Sequence, residues 1–175
     1  VRRAFTLLEL LTCVGIIVLL TALLTPVFAA ARRQSQVAAS VNNLRQMHLV
    51  VEMYRQSSGA EDGPTLGLPS LFDVNRKLFP RGLEKSPCGW NPGFSASESW
   101  FHYLYWPGFL EPDDLKSLRH YGDQMILITD PHCDFPGVPI DSPKFEHLGI
   151  GVRLDGTVVR RTAKGDPSQL EWWVF

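Results

Sequence analysis

From Leu10 to Ala31 the chain carries no charged side chain, and beyond Arg32-Arg33 apolar residues recur at helical spacing. At 1.5 Å rise per residue the first run makes a helix of about 33 Å, the thickness of a bilayer's hydrocarbon core. In the second run Val37, Val41, Leu44, Met47, Val51 and Tyr54 fall three and four apart and share one helix face, with Asn42, Arg45, Gln46, Glu52 and Arg55 opposite. Ser57-Ser58-Gly59 ends the pattern. One helix from Phe5 to Ser57 is therefore predicted, about 80 Å if straight. Pro26 should bend or loosen it, because the ring removes one backbone hydrogen bond. His48 falls at the edge of the stripe and reads as a packed or half-exposed histidine rather than a ligand.

After Gly59 the pattern changes. Ala60 to Pro87, rich in Gly, Pro and Asp, reads as a loop with a short helical or irregular piece around Leu71 to Leu78. Trp100-Phe101-His102-Tyr103-Leu104-Tyr105-Trp106 fits a strand packed on both faces. The competing use of such rings is to stack on a sugar. Glu111-Pro112-Asp113-Asp114 opens a helix through Leu118. Gln124 to Asp130 is the clearest buried strand. Asp155-Gly156 between two alternating apolar runs is a hairpin, with Val152 and Leu154 on one face and Arg153 on the other. Leu170 to Phe175 reads as a last strand, at a sheet edge or over the helix stripe. The expected fold class is α+β: one long N-terminal helix, membrane-spanning in its first half, packed on a small antiparallel sheet.

Length and charge add bounds. The 175 residues leave enough chain beyond Ala31 for one extended helix and one compact domain. A net charge of −1, with no Lys/Arg cluster interleaved with aromatics, gives no reason to expect nucleic acid as a partner. Cys13 lies in the apolar run and behaves as a small apolar residue. Cys88 and Cys133 can pair in an oxidising compartment, at a separation the sequence does not give.

Glu9 is the anomaly, because an unpaired carboxylate just inside an apolar segment costs a few kcal/mol. Cleavage between Ala4 and Phe5 would create an α-amino group one turn away. A neighbouring copy shifted along the axis could then bring its amine to this carboxylate, making Glu9 a registration device. Three simpler accounts compete: a plain membrane anchor, a secretory signal ending at Phe28-Ala29-Ala30-Ala31, and a buried helix of a soluble domain.

Arg2-Arg3-Ala4-Phe5-Thr6-Leu7-Leu8-Glu9-Leu10-Leu11 closely resembles the prepilin cleavage and methylation motif shared by type IV pilins and type II secretion pseudopilins. The resemblance implies a leader of residues 1–4, with Ala4 where glycine is usual. It further implies cleavage by a prepilin peptidase before Phe5, N-methylation of Phe5, and a Glu9 contact to a neighbour's N-terminus. Pro26 stands where many pilins carry a helix-kinking proline. Phe145-Glu146-His147, a Gly-containing strand and Asp155-Gly156 are similar to the C-terminal signature of many prepilin-type proteins, at a shorter spacing.

The implied organisation is a leader (1–4), a transmembrane and filament-core helix (5–31), an amphipathic extension (32–58) and a periplasmic pilin-like domain (59–175). The chain would span the inner membrane once and pass into a pilus or pseudopilus on assembly. Its partners would be other pilin-like subunits, the peptidase, the inner-membrane assembly platform and the lipid bilayer. A membrane-anchored periplasmic protein with an aromatic, glycan-binding site is the alternative.

No catalytic constellation stands out. The histidines lack metalloprotease spacing, and neither a nucleophile elbow nor a phosphate loop is present. The expectation is a structural protein, not an enzyme, with no required cofactor. Asp130, His132 and Asp134, at alternate positions before Asp141, are the one candidate metal loop. Major pseudopilins use a C-terminal calcium loop, so Ca²⁺ is the ion the resemblance implies there.

Overall fold

The computed structural model describes residues 6–58, 67–69, 78–80, 82–83, 85–89, 103–105, 107, 122–134, 142–167 and 169–173. The pieces expected around 71–77 and 111–118 lie outside them. So do Ala4, Phe5, Trp100, Phe101, His102 and Trp106. The chain divides into two compact units, Val1–Ser35 and Gln36–Phe175. A single helix, α1 (Leu7–Ser58), supplies elements to both.

In the first unit α1 is apolar and unburied. Leu10, Ile17, Leu23 and Phe28 are all exposed. By length and composition the helix can cross a membrane. Its threonines in the apolar run are satisfied within the helix: Thr12 donates to the Glu9 carbonyl at 3.0 Å, Thr21 to Val18 at 2.9 Å and Thr25 to Thr21 at 2.7 Å. Such bonds remove the cost of a hydroxyl in an apolar surrounding. Pro26 lies inside the element, which is assigned continuously across it.

The second unit is α+β. Strands β1 (Leu104–Tyr105), β2 (Ile126–Asp130), β3 (Glu146–Arg153) and β4 (Val158–Lys164) form an antiparallel sheet in sequence order. Asp155-Gly156 makes the β3–β4 turn, with Gly156 at φ +83° and Asp155 Oδ1 accepting from the Thr157 amide. One face of the sheet packs on α1. Leu44, Met47 and Val51 from the helix join Ile128, Ile150 and Val152 from the sheet in one core. Val37 belongs to the same core and Val41 packs against it, so the helical stripe is buried as its spacing predicts.

A bulge in β2 between Ile126 and Ile128 breaks the strand's alternation. Leu127 and Ile128 therefore both enter the helix-side core, while Ile126 turns to the opposite face. The strand is thus buried on both sides, which is why Met125-Ile126-Leu127-Ile128 reads as a continuous hydrophobic run.

Leu170–Trp173 does not form the expected strand. It is a 3₁₀ turn laid over the face of the sheet away from α1. Trp172 and Trp173 are buried edge to face, with centroids 4.8 Å apart. Room for them comes from two glycines on β3: a Cβ at Gly149 would stand 2.5 Å from the Trp173 ring, and one at Gly151 would stand 3.3 Å from it. The indole N–H groups donate to the carbonyls of Lys164 and Pro167, and Arg161 lies over the Trp172 ring at 5.0 Å. Successive side chains of a strand point to opposite faces, so strand pairing would part the two indoles; the 3₁₀ turn brings both to one face, over the glycine sockets.

Candidate functional site

Three places carry bonded polar groups among the described residues: the start of α1, the buried end of β2 and the pair Asp134–His147. At the first, Thr6 and Glu9 form a reciprocal cap. The Thr6 amide and hydroxyl both donate to Glu9 Oε2 at 2.9 Å, and Thr6 Oγ1 accepts from the Glu9 amide at 3.3 Å. This is the Thr-x-x-Glu capping box, in which two otherwise orphan amides of the first turn are satisfied. Glu9 therefore has a partner inside its own chain. The pattern is visible in Thr6-Leu7-Leu8-Glu9, and sequence reasoning that sought the partner only in a neighbour missed it.

At the second place Asp130, the last residue of β2, is wholly buried. Its Oδ2 accepts from Ser40 Oγ of α1 at 2.5 Å and from Ser86 Oγ at 2.8 Å, and its Oδ1 from the His132 amide at 2.9 Å. Ser86 Oγ in turn accepts from the Cys88 amide at 3.1 Å. Cys88 and Cys133 are joined in a disulfide, with Cα atoms 5.1 Å apart. One carboxylate thus ties helix, disulfide loop and strand end together. Nearby, Tyr103 Oη accepts from Asn43 Nδ2 at 3.1 Å. Burial, and then the Asp130 carboxylate, push its phenol well above the usual range.

The polar residues of α1 that face the domain run beside its apolar stripe. Gln36 donates to the Pro87 carbonyl at 3.2 Å, and Ser40 and Asn43 continue the line. A turn and a half further on, half-buried His48 meets the Leu154 carbonyl at 2.8 Å and packs against Gly156. His48 is a packing residue.

At the third place Asp134 and His147 form a buried pair. Asp134 Oδ2 accepts from His147 Nδ1, and Oδ1 accepts from the Leu148 amide at 2.7 Å. His147 Nε2 lies 2.8 Å from the Ser142 carbonyl. Both ring nitrogens thus face acceptors, so the imidazolium is the form that satisfies them. Burial pulls the His147 pKa down, but the Ser142 carbonyl and the Asp134 carboxylate, with Asp166 further off, outweigh it and hold it above the ordinary value.

These bonds decide the metal expectation. Asp130, His132 and Asp134 are all buried, but the two carboxylates are spent on Ser40, Ser86 and two backbone amides, and on His147. Among the described residues, the ligand atoms close enough to share an ion belong to Cys88, Asp130 and Cys133, and the two sulfurs are in the disulfide. The residues present do not fit a calcium loop. Of the aromatic segment, Tyr103 and Tyr105 are buried, with Tyr105 Oη donating to the Pro69 carbonyl at 2.9 Å. They line the core and offer no face to a sugar. The cleavage and methylation positions, Ala4 and Phe5, lie outside the described residues.

Comparison with protein-family models, curated proteins and solved structures gives no match to this chain.

Proposed function

We propose that the chain is a pilin-like structural subunit of a type IV pilus or type II secretion pseudopilus. In this reading a prepilin peptidase removes residues 1–4, Phe5 becomes the methylated N-terminus, and the helix enters the inner membrane with its domain in the periplasm. Subunits then assemble through their N-terminal helices. The observation that carries the reading is one element with two surfaces. From Leu10 to Ala31 α1 is uncharged and exposed, and from Val37 to Val51 the same helix buries a stripe in an α+β domain. An exposed apolar helix of this length needs lipid or sister helices around it. The residues before it carry the prepilin-like motif.

The test is to express the full chain with and without a prepilin peptidase and to sequence the N-terminus of the membrane-bound product. A peptidase-dependent methyl-Phe5 terminus is expected. A mature protein beginning at Arg32, or one unchanged by the peptidase, overturns the reading.

A further inference from the structure

The disulfide has an unequal pair of sulfurs. Cys133 is only 2% exposed, whereas Cys88 is partly open to solvent. Cys133 Sγ also lies 3.5 Å from Asp130 Oδ2, while all three side chains keep their ligand atoms within 4.8 Å of one another. Asp130 is wholly buried and held in place by Ser40, Ser86 and the His132 amide. A carboxylate fixed at the sulfur that solvent does not reach is in position to move that sulfur's proton.

We infer that Asp130 is the general base for closure of the Cys88–Cys133 disulfide, with Cys88 the entry thiol and Cys133 the resolving thiol. The chemistry takes a small or protein disulfide as oxidant. In the first step the Cys88 thiolate attacks the oxidant's S–S bond; a Cys88 mixed disulfide forms and one oxidant thiolate leaves. In the second, Asp130 takes the Cys133 S–H proton as Cys133 Sγ attacks Cys88 Sγ. The new S–S bond forms, the second oxidant thiolate leaves, and solvent returns the proton from Asp130 to it. Two thiols lose two electrons, and the oxidant gains them as two thiols. The same placement guards the finished bond. A reductant can reach Cys88, but attack there must expel a Cys133 thiolate against a buried carboxylate. The inference concerns the folded domain and stands whether or not the chain assembles into a filament.

The experiment uses the full chain in detergent, reduced with dithiothreitol, desalted and reoxidised with oxidised glutathione. Cys133→Ser should take a glutathione adduct on Cys88 readily, and Cys88→Ser should take one on Cys133 slowly or not at all. Conversion of the Cys88–glutathione adduct to the ring is read apart from adduct formation, which itself needs the Cys88 thiolate; in the native chain that second step should be nearly independent of pH below the thiol range. In Asp130→Asn closure must wait for spontaneous thiolate, so its rate should rise about tenfold per pH unit up to the thiol pKa, and the Cys88 adduct should accumulate. A native chain whose adduct-to-ring step itself rises tenfold per pH unit overturns the role of Asp130, even if the Asn variant does not fold. Faster adduct formation on Cys133 than on Cys88 overturns the assignment of the two thiols.

Discussion

Gly149 shows how much a single missing side chain can decide. A methyl group there would sit 2.5 Å from Trp173 and 2.6 Å from Trp172, and neither buried ring has space to yield. Gly149→Ala should cost about 1–3 kcal/mol of stability by overpacking. Urea unfolding followed by tryptophan fluorescence measures it, with the native-state emission shifting as the indoles leave their sockets. His147 makes a prediction of the opposite kind, in pH. Its folded-state pKa is raised, so the folded chain holds a proton that the unfolded chain releases near 6.5. That stabilisation is complete below about pH 6.5 and is lost as the pH rises through the raised folded-state value. The urea midpoint should therefore fall across this window. In His147→Gln the fall should disappear, with a loss at acid pH of about 3–5 kcal/mol for breaking a buried pair.

The elements differ in how openly the chain declares them. The helical stripe, β2 and the Asp155-Gly156 hairpin are legible because each rests on local periodicity or local turn chemistry. Their observed extents, Leu7–Ser58, Ile126–Asp130, Glu146–Arg153 and Val158–Lys164, follow the pattern closely. The C-terminal turn is misread because Leu170 to Phe175 has an apolar density that suits a strand. The clue lies elsewhere, in two glycines alternating on β3. Asp130 is harder still, since Ser40 and Ser86 stand 90 and 44 residues from it and no local signal joins them. It looked like one of a row of loop ligands, yet its work is to clamp α1 to the sheet. Ser40→Ala should then cost about 2 kcal/mol, the range for a hydrogen bond to a charged group. Denaturant unfolding with the disulfide intact checks it. Asn42→Ala, on the exposed face two residues along, should change little.

For the molecule as a whole, the cap that Glu9 makes has to be separated from the role proposed for it in assembly. Its carboxylate caps its own helix through Thr6, and in the proposed assembly it also meets a neighbour's terminal amine. Capping needs an acceptor oxygen at this position but not a charge, because glutamine serves in the same box. Pairing with an ammonium group in an apolar filament core needs the charge. Glu9→Gln should therefore keep the helix, membrane insertion and cleavage before Phe5, yet abolish assembly. Thr6→Ala keeps the charge and weakens the cap by about 1 kcal/mol, so it should still assemble. Co-expression of each variant with the assembly apparatus, followed by cysteine cross-linking and shearing of surface filaments, reads out the difference. If Glu9→Gln assembles as the native chain does, the carboxylate is a helix cap alone, and register in the filament must come from another part of the helix.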